Sequence, residues 1–166
     1  MTDAVAPRWL SPRSLLVLAA ALALSVAASV LGSGVTTPNL PWYETLAKPP
    51  FNPPKAAFPI AWTILYVLMA LALWRAAVLG RGAARGRAIL AYGVQYVLNV
   101  GWSFAFFGAQ SPALGLAVIG ALLVAIAWTI VRFRAIDRAA ALLLWPYLAW
   151  VSFAALLNAS ILVLNR

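Results

Sequence analysis

Three apolar segments of the sequence carry polar and aromatic residues at intervals of three or four. The first group is Trp62 and Tyr66, the second is Gln95, Asn99 and Trp102, and the third is Trp150, Ala154, Leu157 and Asn158. Residues with this spacing lie along one side of a helix. Flat aromatic walls with a few hydrogen-bonding groups suit a large, planar, amphiphilic ligand. The same side chains could instead join helices through hydrogen bonds, and the spacing leaves both interpretations open.

Several kinds of chemistry are excluded by the residue types. The sequence contains no Cys and no His, so disulfides, thiolate catalysis, ordinary zinc sites and His or Cys ligation of haem iron are ruled out. No Asp, Glu, Lys or His falls in the middle of an apolar segment, which argues against a proton-coupled carrier. No paired carboxylates, Ser/His/Asp set or phosphate-binding glycine loop is present, so conventional hydrolysis or phosphoryl transfer is not expected.

The composition is that of an integral membrane protein. Of 166 residues, 65% are hydrophobic, the mean hydropathy is +0.95, and a soluble domain has about 45–50% apolar residues. The formal net charge of +9 does not indicate nucleic-acid binding, because the Arg residues sit in short gaps between apolar runs, where they meet lipid headgroups. The length fits a single domain over residues 1–166.

The apolar runs predict an all-α membrane protein, a bundle of five transmembrane helices. A bilayer requires about 20 apolar residues per helical span. The predicted helices cover residues 14–35, 58–79, 88–107, 113–131 and 139–164, with Pro146 kinking the last one. Gly101 and Ala105 form a pair of small residues, a weak signal for a dimer seam.

Residues 36–57 are predicted to form a long, stiff loop that caps the bundle. Its second half and the start of the next helix carry five prolines, namely Pro49, Pro50, Pro53, Pro54 and Pro59. Each proline fixes φ and removes a backbone donor, which excludes regular helix or a central strand. Trp42, Tyr43, Phe51 and Phe58 stand around them, and aromatic residues favour the membrane–water interface.

Basic residues distribute unevenly between the two sides of a five-span protein. Nine fall on the side of the N-terminus: Arg8, Arg13, Arg75, Arg81, Arg85, Arg87, Arg132, Arg134 and Arg138. Lys48, Lys55 and Arg166 fall on the other side. Because basic residues accumulate on the cytoplasmic side, the N-terminus is predicted to be cytoplasmic and the cap and C-terminus to face outward. The expected location is a bacterial cell membrane, with the outer membrane as the alternative.

With these residues identified, most of the chain resembles the TspO/MBR family, the tryptophan-rich sensory proteins and translocator proteins (peripheral-type benzodiazepine receptors). The motifs that carry the resemblance are Trp42-Tyr43, Lys48-Pro49, Asn52-Pro53-Pro54, Phe58, Trp62-Thr63, Leu65-Tyr66, Gln95, Leu98-Asn99, Trp102, Phe106-Phe107-Gly108, Pro146-Tyr147-Leu148-Ala149-Trp150, Ala154, Leu157-Asn158 and Asn165. Their number and order make the resemblance specific.

The resemblance implies a five-helix bundle, often a homodimer, with a pocket under the loop that joins helices 1 and 2. Family members bind porphyrins, such as protoporphyrin IX and haem, and synthetic benzodiazepine-type and isoquinoline ligands. The family's contact residues correspond to Trp62, Asn99, Trp150, Ala154 and Leu157. The complete expected ligand-binding set is Trp42, Tyr43, Phe58, Trp62, Tyr66, Gln95, Asn99, Trp102, Trp150, Ala154, Leu157 and Asn158, with no metal and no required cofactor.

Three functions follow as alternatives. The first is porphyrin binding in sensing, transport or degradation, and the second is an enzyme-like, light-dependent breakdown of bound porphyrin with Trp62 and Trp150 as candidates. The third is a scaffold whose polar face only joins helices. Two departures from the animal members bear on ligand choice: the basic residue of their cholesterol-recognition pattern is absent after Asn158, and Leu114 stands where they carry a pocket Trp. Sterol binding is therefore doubtful.

Overall fold

The structure, a computed structural model, describes residue 9 and residues 11–166. Its helices are α1 (Pro12–Thr36), α2 (Leu40–Thr45), α3 (Ala57–Leu79), α4 (Gly82–Ser103), α5 (Pro112–Arg134), α6 (Arg138–Leu142) and α7 (Trp145–Leu164). A 3₁₀ turn, Thr37–Asn39, joins α1 to α2, and a π-helical turn, Phe104–Gly108, extends α4. The described residues supply five helical segments long and apolar enough to cross a membrane. The predicted all-α, five-span fold is confirmed.

The first half of the predicted loop is helical, so that part of the prediction was wrong. Helix α1 runs to Thr36, and α2 carries Trp42 and Tyr43. Proline does not prevent these short elements, because Pro38 and Pro41 occupy first-turn positions, where a backbone N–H has no helical partner anyway. Only residues 46–56 are irregular, and this segment is called the lid below.

The third predicted helix starts too late by about two turns. The prediction began it at residue 88, but α4 begins at Gly82, and only two residues separate it from α3. The reversal uses the positive φ of Gly82 (51°), which glycine adopts without strain. The following Ala and Arg residues are strong helix formers, so charge alone does not mark a loop here.

The predicted interruption of the last helix near Pro146 is a short turn, residues 143–144, between α6 and α7. Pro146 is the second residue of α7, where its missing N–H costs nothing. The Asp137 side chain caps the start of α6 by accepting from the Ala140 N–H (3.0 Å) and also accepts from Arg75 Nε (2.6 Å). The hydrogen bond from Arg75 lowers the pKa of the Asp137 carboxyl below its ordinary value.

The helices pack into a ring with one weak side. Helix α4 packs along α5, α1 along α3, and α5 along α7, whereas α3 and α7 have few direct contacts. Much of the buried surface of α3 is alanine, including Ala70, Ala72 and Ala76, which allows neighbouring backbones to approach closely. The gap between α3 and α7 is the feature that the site is built on.

The two residues of the predicted dimer seam lie in different environments. Ala105 is buried within the chain, at 6% exposure. A Cβ on Gly101 would meet nothing within 4 Å. The pair therefore does not form a continuous outward-facing seam, and the homodimer itself stays a prediction.

We expect Gly115→Ala to weaken the contact of α5 with α7. A Cβ at Gly115 would lie 2.8 Å from Asn158 Oδ1 and 2.8 Å from a ring carbon of Phe106, so the core would be overpacked. Such overpacking costs about 1–3 kcal/mol. The measurement is thermal unfolding of the purified protein. Gly120→Ala is the matched control, because a Cβ there meets nothing within 4 Å; equal melting temperatures for the two variants would contradict the prediction.

Candidate functional site

A groove of about 610 Å³ lies between α3 and α7. Its lining residues are apolar or aromatic: Pro53, Ala61, Ile64, Leu65, Pro146, Ala149, Trp150 and Phe153. Trp150 packs against Phe153 (ring centroids 5.8 Å apart) and against Phe58 at the start of α3 (6.0 Å). Pro53 belongs to the lid, so one end of the groove lies beneath it. The volume is within the usual range of small-molecule sites, about 300–1,000 Å³.

Trp150 lines the groove with its aromatic ring. The polar atom of that ring, Nε1, is buried and has no hydrogen-bond partner among the described residues. A buried donor without an acceptor costs about 1–3 kcal/mol. The groove itself therefore offers a ligand an apolar, aromatic surface.

Behind the groove, a hydrogen-bonded triad joins three helices. Tyr66 Oη on α3 donates to Asn99 Oδ1 on α4 (3.1 Å), and Asn99 Nδ2 donates to Tyr147 Oη on α7 (3.0 Å). Trp62 packs on both tyrosine rings, with centroids 5.3 Å from Tyr66 and 6.3 Å from Tyr147. The triad fixes α3 and α7 to α4 although the two helices have few contacts with each other.

A second buried amide makes a similar link nearer the lid. Asn158 Oδ1 accepts from Trp102 Nε1 (3.3 Å), and Asn158 Nδ2 donates to the Pro112 carbonyl (2.7 Å). These bonds join α4, α5 and α7. Asn158 is 1% exposed, and these two bonds satisfy both its oxygen and its nitrogen within the protein.

An aromatic cluster fastens α2 to the bundle. Trp42 packs edge-on against Phe106 (5.6 Å), and Tyr43 packs against Phe107 (5.7 Å). Trp102 stacks on Phe106 (5.3 Å). The π-helical turn that contains Phe106 and Phe107 points both rings inward, since both are buried.

The lid is held by polar bonds at both of its ends. The Asn165 amide pairs with the backbone of Ala47: Ala47 N–H donates to Asn165 Oδ1, and Asn165 Nδ2 donates to the Ala47 carbonyl, both at 2.9 Å. Tyr43 Oη donates to Asn52 Oδ1 (2.9 Å). Lys55 forms an ion pair with Glu44. The lid is therefore fastened to α2 and to the end of α7.

The residues expected to share one pocket fall at several levels of the bundle. Tyr66, Asn99 and Trp62 lie at the triad, and Phe58 and Trp150 at the groove. Trp42, Tyr43, Trp102 and Leu157 belong to the cluster under the lid, with Asn158 beside them. Ala154 packs on the main core, and Gln95 is buried one turn from Asn99. Their contact with a ligand stays a prediction.

Some residues of the site were not in the predicted set. Tyr147 completes the triad, Phe153 lines the groove, and Phe106 and Phe107 anchor α2. Tyr147 and the two Phe residues occur in the motifs quoted above, and Tyr147 lies three residues before Trp150, on the same side of α7. That spacing was the available signal. For Phe153 the only signal in the sequence was an aromatic side chain three residues after Trp150.

These features define an integral, multi-pass membrane protein with a lidded lateral groove. A family model described as the TspO/MBR family matches residues 17–164. The chain is 43% identical over 157 residues to a tryptophan-rich protein TspO from Chlorobaculum tepidum, which covers 92% of this chain and 98% of that protein. It is 40% identical over 124 residues to a tryptophan-rich sensory protein from Cereibacter sphaeroides (75% and 77% covered).

A translocator protein from Ovis aries is 36% identical over 125 residues, with 70% of each chain covered. The chain therefore belongs to the TspO/MBR family, which confirms the resemblance found in the motifs.

We expect Asn165→Ala to loosen the lid without unfolding the bundle. The substitution removes both bonds to Ala47, and each hydrogen bond contributes about 0.5–1.5 kcal/mol. Amide hydrogen exchange of the lid, measured by mass spectrometry, should accelerate about tenfold or more, while α4 and α5 stay protected. Ser160→Ala is the control, since its hydroxyl bonds only within α7, to Leu156 O. Unchanged exchange in the Asn165 variant would show that the lid is held otherwise.

Proposed function

We propose that the protein binds tetrapyrroles, porphyrins and haem, from the bilayer and acts in their sensing, transport or degradation. The observation that carries the proposal is the groove between α3 and α7, with the aromatic wall that Trp150 and Phe153 form. A macrocycle is flat and apolar, so it matches such walls. The names of two relatives, a tryptophan-rich sensory protein and a translocator protein, agree with sensing or transport.

Charge supports the same ligand class. A porphyrin such as protoporphyrin IX carries carboxylates that cannot enter an apolar groove without cost. Pro53 places the lid at one end of the groove, and the lid carries Lys48 and Lys55, which are the only lysines in the sequence. The macrocycle would lie against Trp150, and its carboxylates would bind these lysines in place of the Tyr43 ring that Lys48 covers and the Glu44 carboxylate that pairs with Lys55. Benzodiazepine-type and isoquinoline ligands are aromatic and suit the same walls.

The test is a titration with protoporphyrin IX in the dark, followed by the absorbance of the porphyrin. Trp150→Phe should raise Kd about two- to tenfold, because a phenyl ring offers the macrocycle less aromatic area than an indole. Ala149→Leu should weaken binding further by filling the groove. Trp128→Phe and Ala127→Leu on α5 are the matched controls, since neither residue lines the groove. Equal affinities in all four variants would place the ligand elsewhere or leave only partitioning into detergent.

A light-dependent breakdown of the bound porphyrin is the second candidate. Tryptophan is an electron donor for an excited porphyrin, and Trp150 lines the groove with Trp62 behind it. Illumination of the loaded protein should bleach the porphyrin, and bleaching should stop in Trp62→Phe or Trp150→Phe while binding persists. If Asn99→Leu only lowers the melting temperature and no variant affects binding, the scaffold function is favoured instead.

We further propose that the lid faces outward and the arginine-rich end faces the cytoplasm. The described basic residues at that end are Arg13, Arg75, Arg81, Arg85, Arg87, Arg132, Arg134 and Arg138, and Arg8 lies outside the described residues. Because the chain has no Cys, single cysteines can report orientation. A membrane-impermeant maleimide should label Ala56→Cys in intact spheroplasts and Ala84→Cys only after lysis. The reverse result would invert the topology.

A further inference from the structure

Two polar side chains inside the bundle have polar atoms that find no partner among the described residues. They are Tyr92, through its hydroxyl, and Gln95, through both Oε1 and Nε2. Both are buried, at 3% and 1% exposure. Apart from the Trp150 N–H at the groove, these are the buried side-chain atoms that the described protein leaves without a hydrogen bond.

The two residues belong to one polar stripe along the interior of α4. Tyr92, Gln95, Asn99 and Trp102 follow at intervals of three and four, which places them on one side of the helix. The half of the stripe nearer the lid is satisfied by the protein, because Asn99 bonds to Tyr66 and Tyr147 and Trp102 bonds to Asn158. In the other half, the polar atoms of Tyr92 and Gln95 have no hydrogen-bond partner among the described residues. Residues three apart are neighbours on the same side of a helix, so the two unsatisfied side chains start from adjacent positions.

The chemistry of the site restricts its guest. The buried polar residues of the described chain are all uncharged, so an ion would have no counter-charge there. A carboxamide and a phenol together donate and accept hydrogen bonds. The surroundings are tightly packed: Ala88 and Ala91 on the same helix are at most 1% exposed, and the Tyr92 ring stacks on Phe133 (6.1 Å). Only a small, neutral guest with both donors and acceptors fits.

We propose that Tyr92 and Gln95 form a binding site for internal water, one turn deeper than Asn99. A buried water typically makes about three hydrogen bonds to otherwise unsatisfied groups. The three unpartnered atoms of Tyr92 and Gln95 match that number. This inference does not depend on porphyrin binding.

The test uses the two glutamines of the chain. Labelling with ¹⁵N-glutamine reports only Gln95 and Gln110, and Gln95→Met identifies the Gln95 signal by its loss. In the full-length protein in nanodiscs, the Gln95 side-chain amide should show a direct magnetisation transfer from water, despite its 1% exposure. Asn158, equally buried but bonded through both amide atoms, is the negative control in an asparagine-labelled sample. If the Gln95 amide shows no more magnetisation transfer from water than the Asn158 amide, the proposal is overturned.

A double-mutant cycle then tests whether the two residues share the guest. Gln95→Met and Tyr92→Phe should each lower the melting temperature by several degrees, and the double variant should lose less than the sum of the two shifts. Gln110→Met removes only an exposed hydrogen bond to Asn39 and should lower it less. If the single substitutions raise the melting temperature, the amide and hydroxyl were unsolvated, and the proposal fails. Strictly additive losses would assign separate waters and refute a shared site.

Discussion

The hydrogen bonds of Asn99 fix the geometry on which the groove depends. Helices α3 and α7 form the two walls of the groove but have few contacts with each other. Asn99, on α4, accepts from Tyr66 on one wall and donates to Tyr147 on the other. In a bilayer no water competes for these groups, so the bonds persist once formed. The walls are therefore held apart at a fixed spacing by a third helix behind them.

The same arrangement explains how an open site can exist in a stable bundle. The buried amides of Asn99 and Asn158 serve helix association, because their donors and acceptors are used by the protein. Trp150 differs, since its ring lines the groove and its N–H has no partner among the described residues. Asn158, which joins helices, and Trp150, which lines the groove, thus lie on one helix, α7, at different heights. The hydrogen bonds of Asn99 and Asn158 favour the helix-joining interpretation for those two residues, and ligand contact at Trp150 stays a prediction.

Helix α2 and the lid are attached to the bundle in two different ways. Aromatic contacts hold α2 through rings buried under it, and such contacts are lost only when the whole element moves. The lid, residues 46–56, is fastened by a few polar bonds along its length, those of Asn165, Asn52 and Lys55. Its prolines limit the conformations that it can adopt when those bonds open. A stiff segment that is held by a few polar bonds can open and close as a unit, which suits a cover for the groove.

The sequence by itself determined the number of spans, the helical class and the family, because these depend on apolar length, period and motif order. It also placed an interruption of the last span near Pro146. The predicted helix boundaries were wrong where the local sequence is compatible with two structures. Proline is compatible with the first turn of α2. A segment rich in Arg and Ala can be helical, as it is from Gly82 onward. Only the tertiary structure decided which residues meet. Asn158 follows Trp150 by eight positions, which is about 12 Å along a helix. The same face of α7 therefore lines the groove at Trp150 and contacts Trp102 at Asn158. Helix packing decides which neighbour each residue meets.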